Sequence, residues 1–244
     1  MSAPAVVALF GPTGVGKTAV ALELADLLRA RGEHPVAVNC DSLQVYAGLE
    51  RLTGAATAAE RARLEHRLLG FVPVTDDFSV GDYKPLAEAE IDAALAAGRL
   101  PIVVGGTGLY LRAALADLSL ERVPSGSSES ELWSPQTRHP TAIFVLTMER
   151  AELYERIDAR VEAIVAAGAG EEVEAARALG PGRTAAKALG FRELPAGDLD
   201  AMKRRSRNYA RRQLTWMRKL PAVTWVDVGD RPPGAVAAEI ASAL

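Results

Sequence analysis

The sequence predicts an α/β fold, a parallel sheet covered by helices, and three observations carry that expectation. Short apolar runs alternate with helix-patterned ones. The runs are almost uninterrupted in apolar residues, as strands buried on both faces require, and a glycine-rich turn joins the first run to the first helix. That turn reads Gly11-Pro12-Thr13-Gly14-Val15-Gly16-Lys17-Thr18 and fits the phosphate-binding pattern GxxxxGK[ST]. The expected architecture is therefore a P-loop NTPase-like parallel sheet covered by helices, with a helical C-terminal region.

Taken in order, strands are expected at 5–10, 35–40, 101–105, 142–147 and 223–228, and helices at 18–31, 84–97 and 150–167. The last of these helices places Leu153, Ile157, Val161, Ile164 and Val165 on one face, and Gly168 ends it. Residues 1–116 read as the N-terminal part of one catalytic core and 141–244 as its C-terminal part. Between them, 117–140 centres on the small, polar run 123–131 and resembles a linker.

With 49% hydrophobic residues in 244, the chain can bury a sizeable core. One cysteine, Cys40, excludes an intramolecular disulfide framework and is most simply a buried strand residue. The start lacks a basic n-region, and no apolar run reaches the ~18–20 residues of a membrane span, so a cytoplasmic protein without membrane contact is expected, acting as a monomer. His34, His66 and His139 lack metal-ligand spacing.

The formal charge of −3 is unevenly spread. Lys203, Arg204, Arg205, Arg207, Arg211, Arg212, Arg218 and Lys219 fall between Ala201 and Leu220 with no acid among them, which suggests a polyanion site on an acidic body. A solvated helix face is the plainer alternative.

The phosphate-binding loop defines the chemistry. Its backbone N–H groups and the helix N-terminus favour a di- or triphosphate, Lys17 adds a point charge, and the Thr18 hydroxyl can ligate Mg²⁺. A hydrolase of this type has a later strand ending in an acid, but Pro101-Ile102-Val103-Val104 runs into Gly105-Gly106-Thr107-Gly108 without a carboxylate. The group attacking the phosphorylated substrate therefore need not be water.

Asp41 and Ser42 follow the second strand, where the carboxyl ends of neighbouring strands share a crevice. Asp41 could accept a proton from a nucleophile, stand in the outer shell of Mg²⁺, or simply cap a turn. Gln44 has a side chain that can pair with adenine. Consecutive glycines at 105–108 would let a ligand approach the backbone, with Thr107 donating to it, unless they form a structural turn. Arg156 and Arg160 lie one helical turn apart and suit a leaving diphosphate, although a Glu152–Arg156 pair would account for the first of them.

Together, the loop at 11–18, Asp41-Ser42-Leu43-Gln44-Val45-Tyr46, the run 102–111, the segments 153–161 and 188–193, and Arg211-Arg212-Gln213-Leu214-Thr215-Trp216 resemble the tRNA dimethylallyltransferase family in order and approximate spacing. The resemblance implies transfer of a dimethylallyl group from dimethylallyl diphosphate to N6 of an adenosine in the tRNA anticodon loop, with diphosphate released. It implies Asp41, Thr107 and Arg160 as catalytic residues, the loop from Gly11 to Thr18 as the diphosphate cradle with Mg²⁺ on Thr18, and Ser42, Gln44, Arg156, Arg211, Arg212 and Gln213 as substrate contacts. The partner it implies is a tRNA anticodon stem-loop, clamped by the basic helix 203–219. Three departures stand out. Residues 117–140 are short for the family's helical insertion, 48–53 differ from the usual pattern after the tyrosine, and Glu65-His66-Arg67 replaces the paired histidines often found there. Prenyl transfer to free adenine nucleotides and a P-loop small-molecule kinase are the competing readings, and an RNA-binding module without catalysis is a third.

Overall fold

Buried apolar runs become the sheet. A computed structural model describes residues 4–118 and 132–244, so the linker-like run 123–131 lies outside the described residues. Six parallel strands, β1 Val6–Phe10, β2 Pro35–Asn39, β3 His66–Arg67, β4 Leu100–Gly105, β5 Thr141–Thr147 and β6 Val223–Asp227, pair in the order β3-β2-β4-β1-β5-β6. Every residue of β1 and β2 is buried. This explains their lack of polar alternation, since each has a covered neighbour on both faces.

The covering helices are α1 Lys17–Ala30, α2 Glu50–Thr53, α3 Ala58–Arg63, α4 Val80–Ala96, α5 Gly108–Leu115, α6 Arg150–Ala166, α7 Ala169–Ala178, α8 Leu199–Met217 and α9 Pro233–Ser242. Strand alternation divides the core in two. Val6, Ala8 and Phe10 pack with Tyr83, Ile91, Leu111 and Met217 on one face, whereas Val7 and Leu9 pack with Leu24, Ile157, Val236 and Ile240 on the other.

The five expected strands and three expected helices are present with end shifts of a few residues at most. The largest is at α4, which starts at Val80 because Ser79 and Asp82 form a reciprocal capping box ahead of the apolar pattern. The edge strand β3 is an addition: two polar residues have no detectable period, and only their pairing with Ala37 and Val38 makes them a strand. The order of the strands brings the carboxyl ends of β1, β4 and β2 side by side, and the loops leaving them build the site. None of the described helices is long and apolar enough to cross a membrane.

Candidate active site

A cavity of about 330 Å³ opens over these strand ends. Its lining combines polar side chains, Thr13, Lys17, Thr18, Asp41, Gln44 and Arg160, with apolar ones, Leu52, Ile157, Val161, Ile164, Leu189 and Met202. A small anion carrying a hydrocarbon tail matches this division, because the charged end finds fixed cations and the tail finds carbon.

The anion end is preorganised by backbone geometry. Gly14 and Gly16 hold φ of 85° and 95°, in the left-handed region that side chains disfavour. A Cβ on Gly14 would also lie 2.7 Å from Ile157 Cγ1, so this glycine additionally permits close packing on α6. Lys17 lies at the start of α1, and its Nζ donates to the carbonyl oxygens of Gly11 at 3.0 Å and Pro12 at 2.9 Å. The ammonium is surrounded by protein although part of the side chain remains open to the cavity. This burial lowers its pKa to about 8, against the opposing pull of Asp41.

Asp41 is aimed by its neighbours. Its Oδ1 accepts the Leu43 N–H at 3.0 Å, and its own N–H donates to Asn39 Oδ1 at 3.0 Å. Asn39 is itself buried and donates to the carbonyls of Asp41 and Leu68. A turn-capping role and a place in the cavity thus coexist in Asp41. Cys40, next to it, is fully buried, and burial pushes its thiol pKa up, which opposes a nucleophilic role.

Arg160 reaches the cavity from α6 and donates to the Thr53 carbonyl at 2.8 Å. Burial lowers its pKa, and the Asp41 charge partly offsets this. Gln44 donates to the carbonyls of the same turn, Thr53 at 3.3 Å and Gly54 at 3.2 Å. The turn is fixed from outside by Glu172, whose carboxylate accepts the N–H groups of Arg51 at 3.0 Å and Leu52 at 2.9 Å and so caps α2.

Other expected site residues lie elsewhere. Arg156 does not line the cavity; it pairs with Glu152 at 2.7 Å and donates to the Gly229 carbonyl at 2.7 Å, so the surface pair accounts for it. Thr107 and Ser42 are not among the lining residues and bond to each other: Thr107 Oγ1 accepts the Ser42 N–H at 3.1 Å and lies 3.3 Å from the Ser42 hydroxyl. Gln213 is buried with both ends of its amide engaged within the protein. Its Oε1 accepts the Thr13 N–H at 2.9 Å and its Nε2 donates to the Gly106 carbonyl at 2.9 Å, which gives it a bracing role.

The glycine run also departs from expectation. A Cβ on Gly105 would meet Cys40 backbone at 2.4 Å, one on Gly106 would meet Gln213 Nε2 at 2.4 Å, and one on Gly108 would meet the Trp216 ring at 2.1 Å. These glycines serve close packing of the protein on itself, and none has a left-handed φ.

The basic helix α8 is divided. Lys203, Arg205 and Arg207 pair with Glu162, Glu193 and Asp158, while Arg204, Arg211, Arg212, Arg218 and Lys219 have no ion-pair partner among the described residues. Arg211 and Arg212 lie outside the cavity, on a separate open hollow. The same helix supplies cavity residues that motif reading missed: Met202, Ser206 and Tyr209. Their spacing with Gln213 is helical, which was the available signal. Tyr209 hydrogen-bonds Thr107 and Gln213, and burial raises its pKa.

The family model described as IPP transferase matches residues 44–134 and 122–220. The chain is 35% identical to the tRNA dimethylallyltransferase of Limosilactobacillus fermentum, with 91% of this chain and 92% of the relative covered, and 37% identical to that of Rhodospirillum centenum, with 92% of each covered. The two alignments run to 289 and 294 positions, so these relatives carry residues that have no counterpart in a 244-residue chain. Among solved structures, the full-length tRNA isopentenylpyrophosphate transferase of Bacillus halodurans superposes with a TM-score of 0.84 at 29% identity, covering 97% of this chain and 94% of the other. A eukaryotic dimethylallyltransferase acting on tRNA shares the fold, with a TM-score of 0.76 at 21% identity over 92% of this chain and 74% of its own. By sequence, by fold and by the loop that opens its cavity, the chain belongs to the tRNA dimethylallyltransferase, or IPP transferase, family.

Proposed function

We propose that the chain transfers a dimethylallyl group from dimethylallyl diphosphate to N6 of an adenosine in a tRNA anticodon loop. The observation that carries this reading is the mixed lining of one cavity, in which P-loop residues, Arg160 and the Asp41 carboxylate are joined by a set of apolar side chains. The N6 lone pair attacks C1 of the donor, the C1–O bond breaks with its electron pair on the leaving diphosphate, and the N6 proton passes to the Asp41 carboxylate. Asp41 is suited to this because one oxygen is held by the Leu43 N–H and the other is not spent on a protein hydrogen bond among the described residues.

Lys17, Arg160 and the loop N–H groups hold the diphosphate, and their charge stabilises the departing anion. Thr107 acts through its hydrogen bonds to Ser42 and Tyr209. The donor set also fits Mg²⁺. Thr18 lines the cavity with a hydroxyl, and Mg²⁺ takes one or two protein ligands and completes its shell with phosphate and water. Mg²⁺ bound there would neutralise charge on the diphosphate. A substrate so placed needs no water-activating acid, which agrees with the carboxylate-free end of β4.

Mass spectrometry after incubation with dimethylallyl diphosphate tests the reading. A gain of one C5 unit by an anticodon stem-loop is the expected result. No gain on the stem-loop, or a gain on AMP alone, would overturn it.

A further inference from the structure

Two helices lead away from the phosphate loop and carry apolar cavity residues with them. The pairs Asp158–Arg207 and Glu162–Lys203 join α6 to α8, and as one residue number rises the other falls by the same step, so the helices run antiparallel in register. Each has one end at the anion cradle: Ile157 lies against Gly14, and Gln213 accepts the Thr13 N–H. Ile164 therefore stands about 10 Å along α6 from the level of the loop. Met202, next to Lys203, stands close to that same level on the facing helix.

The cavity is closed there by a three-sided contact. Gly190 holds φ of 98°, and a Cβ on it would lie 2.7 Å from Met202 Cε and 2.8 Å from Leu52 Cδ1, so its missing side chain leaves the place that the tips of Met202 and Leu52 occupy. Both tips belong to side chains that line the cavity and pack into the core with Phe191. Charge fixes the contact as well. The Gly190 N–H donates to Glu193 Oε2 at 3.0 Å, and the buried Glu193 carboxylate pairs with Arg205, one turn along α8 from Met202. The turn 188–193 cannot slide along α8 without breaking that pair, which would strand a buried charge.

The spacing suits one isoprene unit. With the diphosphate on the loop, the hydrocarbon tail is driven from the polar side chains toward carbon. Four chain bonds of ~1.5 Å make each unit roughly 5 Å long, so one unit ends near the level of Val161 and a second would enter the space of Met202 and Leu52.

We propose that Met202, seated with Leu52 against Gly190, is the stop that limits the donor to five carbons and rejects its C10 homologue, geranyl diphosphate. The proposal rests on the prenyl-transfer reading above and adds to it the residue that selects chain length. Rejection follows from packing, because a C10 tail must displace side chains already set into the core.

The test is the ratio of kcat/KM for geranyl diphosphate to that for dimethylallyl diphosphate, read by mass spectrometry of an anticodon stem-loop as a gain of C10 or C5. A ratio taken within one preparation does not depend on the folded fraction. Met202→Ala removes everything beyond Cβ and should raise the ratio on the order of tenfold or more over wild type, the discrimination a hydrophobic pocket draws from a few methylene-sized groups. Met202→Val keeps a branched apolar side chain with a shorter reach and should give an intermediate rise. An unchanged ratio in both variants, or C10 transfer by the wild type as efficient as C5 transfer, would overturn the stop.

A second arm needs only the wild type. Geranyl diphosphate should inhibit C5 transfer only at concentrations on the order of tenfold or more above the KM of the C5 donor, since its diphosphate fits the loop and its tail meets the stop. Inhibition at concentrations near that KM would overturn the proposal. Absence of C5 transfer by the wild type would defeat the functional reading itself, whereas C5 transfer with an unchanged ratio would defeat only the assignment of Met202.

Discussion

Gln213 accepts a hydrogen bond from the Thr13 N–H at 2.9 Å, joining the phosphate loop to a helix 200 residues away. The other end of the same amide donates to Gly106, at the turn after β4. One side chain thus ties the loops of two adjacent strands across the bottom of the cavity, and the loop's N–H groups are held in place before any anion arrives.

Gln213→Leu keeps the volume of the brace and removes both bonds. It leaves a Thr13 N–H and a Gly106 carbonyl without partners, so stability should fall by about 1–3 kcal/mol. The KM for the diphosphate donor should rise more than kcat falls, because the loop must now be ordered by the donor itself. Denaturant melts and donor titrations would check this; an unchanged donor KM would show that the loop keeps its shape without the brace.

Lys17 gives a pH dependence of defined sign. Its folded pKa of about 8 lies below the ordinary lysine value of 10.5, so between these limits the unfolded chain binds the extra proton. Stability of the unliganded protein therefore gains from this group as pH rises from 8 toward 10.5, and Lys17→Met should lack that gain. Donor capture runs the opposite way, since only the ammonium attracts diphosphate, and kcat/KM for the donor should decline as pH passes about 8. A flat profile to pH 9 would contradict the assignment.

Asp41 should separate chemistry from binding. Asp41→Ala is expected to lower turnover by ~10²–10⁴-fold, the usual worth of a positioned proton acceptor. Donor affinity should change little, because the anion is held by Lys17, Arg160 and the loop. Single-turnover measurement with saturating stem-loop reads the chemical step, and retention of most of the wild-type rate would remove Asp41 from proton transfer.

Local signals in the sequence identified the sheet, α1, α6 and the P-loop, because an uninterrupted apolar run, an amphipathic stripe and a glycine-lysine turn each lie within a few consecutive residues. The roles that misled depend on long-range partners. Nothing near Gly105, Gly106 or Gly108 reveals that Cys40, Gln213 and Trp216 fill the space above them. The charge run on α8 gives no hint that Asp158 and Glu162, more than forty residues earlier, neutralise part of it. Gln213 belongs to a motif with arginines and reads as a substrate contact until its two backbone partners are in view. Arg156 and Arg160 lie one turn apart, and Glu152 four residues before Arg156 already marks that one as a surface pair, but the Thr53 carbonyl that holds Arg160 is more than a hundred residues away in the chain.

Arg160 is held over the cavity by the Thr53 carbonyl, and the next residue, Gly54, has φ of 58° with Arg160 Nη2 only 2.1 Å from where a Cβ would stand. Gly54→Ala must therefore displace the guanidinium as well as strain the turn. Arg160→Ala should lower donor kcat/KM by about tenfold or more, the effect of one or two charge-assisted hydrogen bonds to phosphate. Gly54→Ala should reproduce much of that loss, and the double variant should be little worse than Arg160→Ala, since both changes remove the same contact. Arg156→Ala, whose partners are Glu152 and Gly229, should leave donor kinetics near wild type. Equal losses for Arg156→Ala and Arg160→Ala would mean that helix α6 presents both arginines to the diphosphate during turnover.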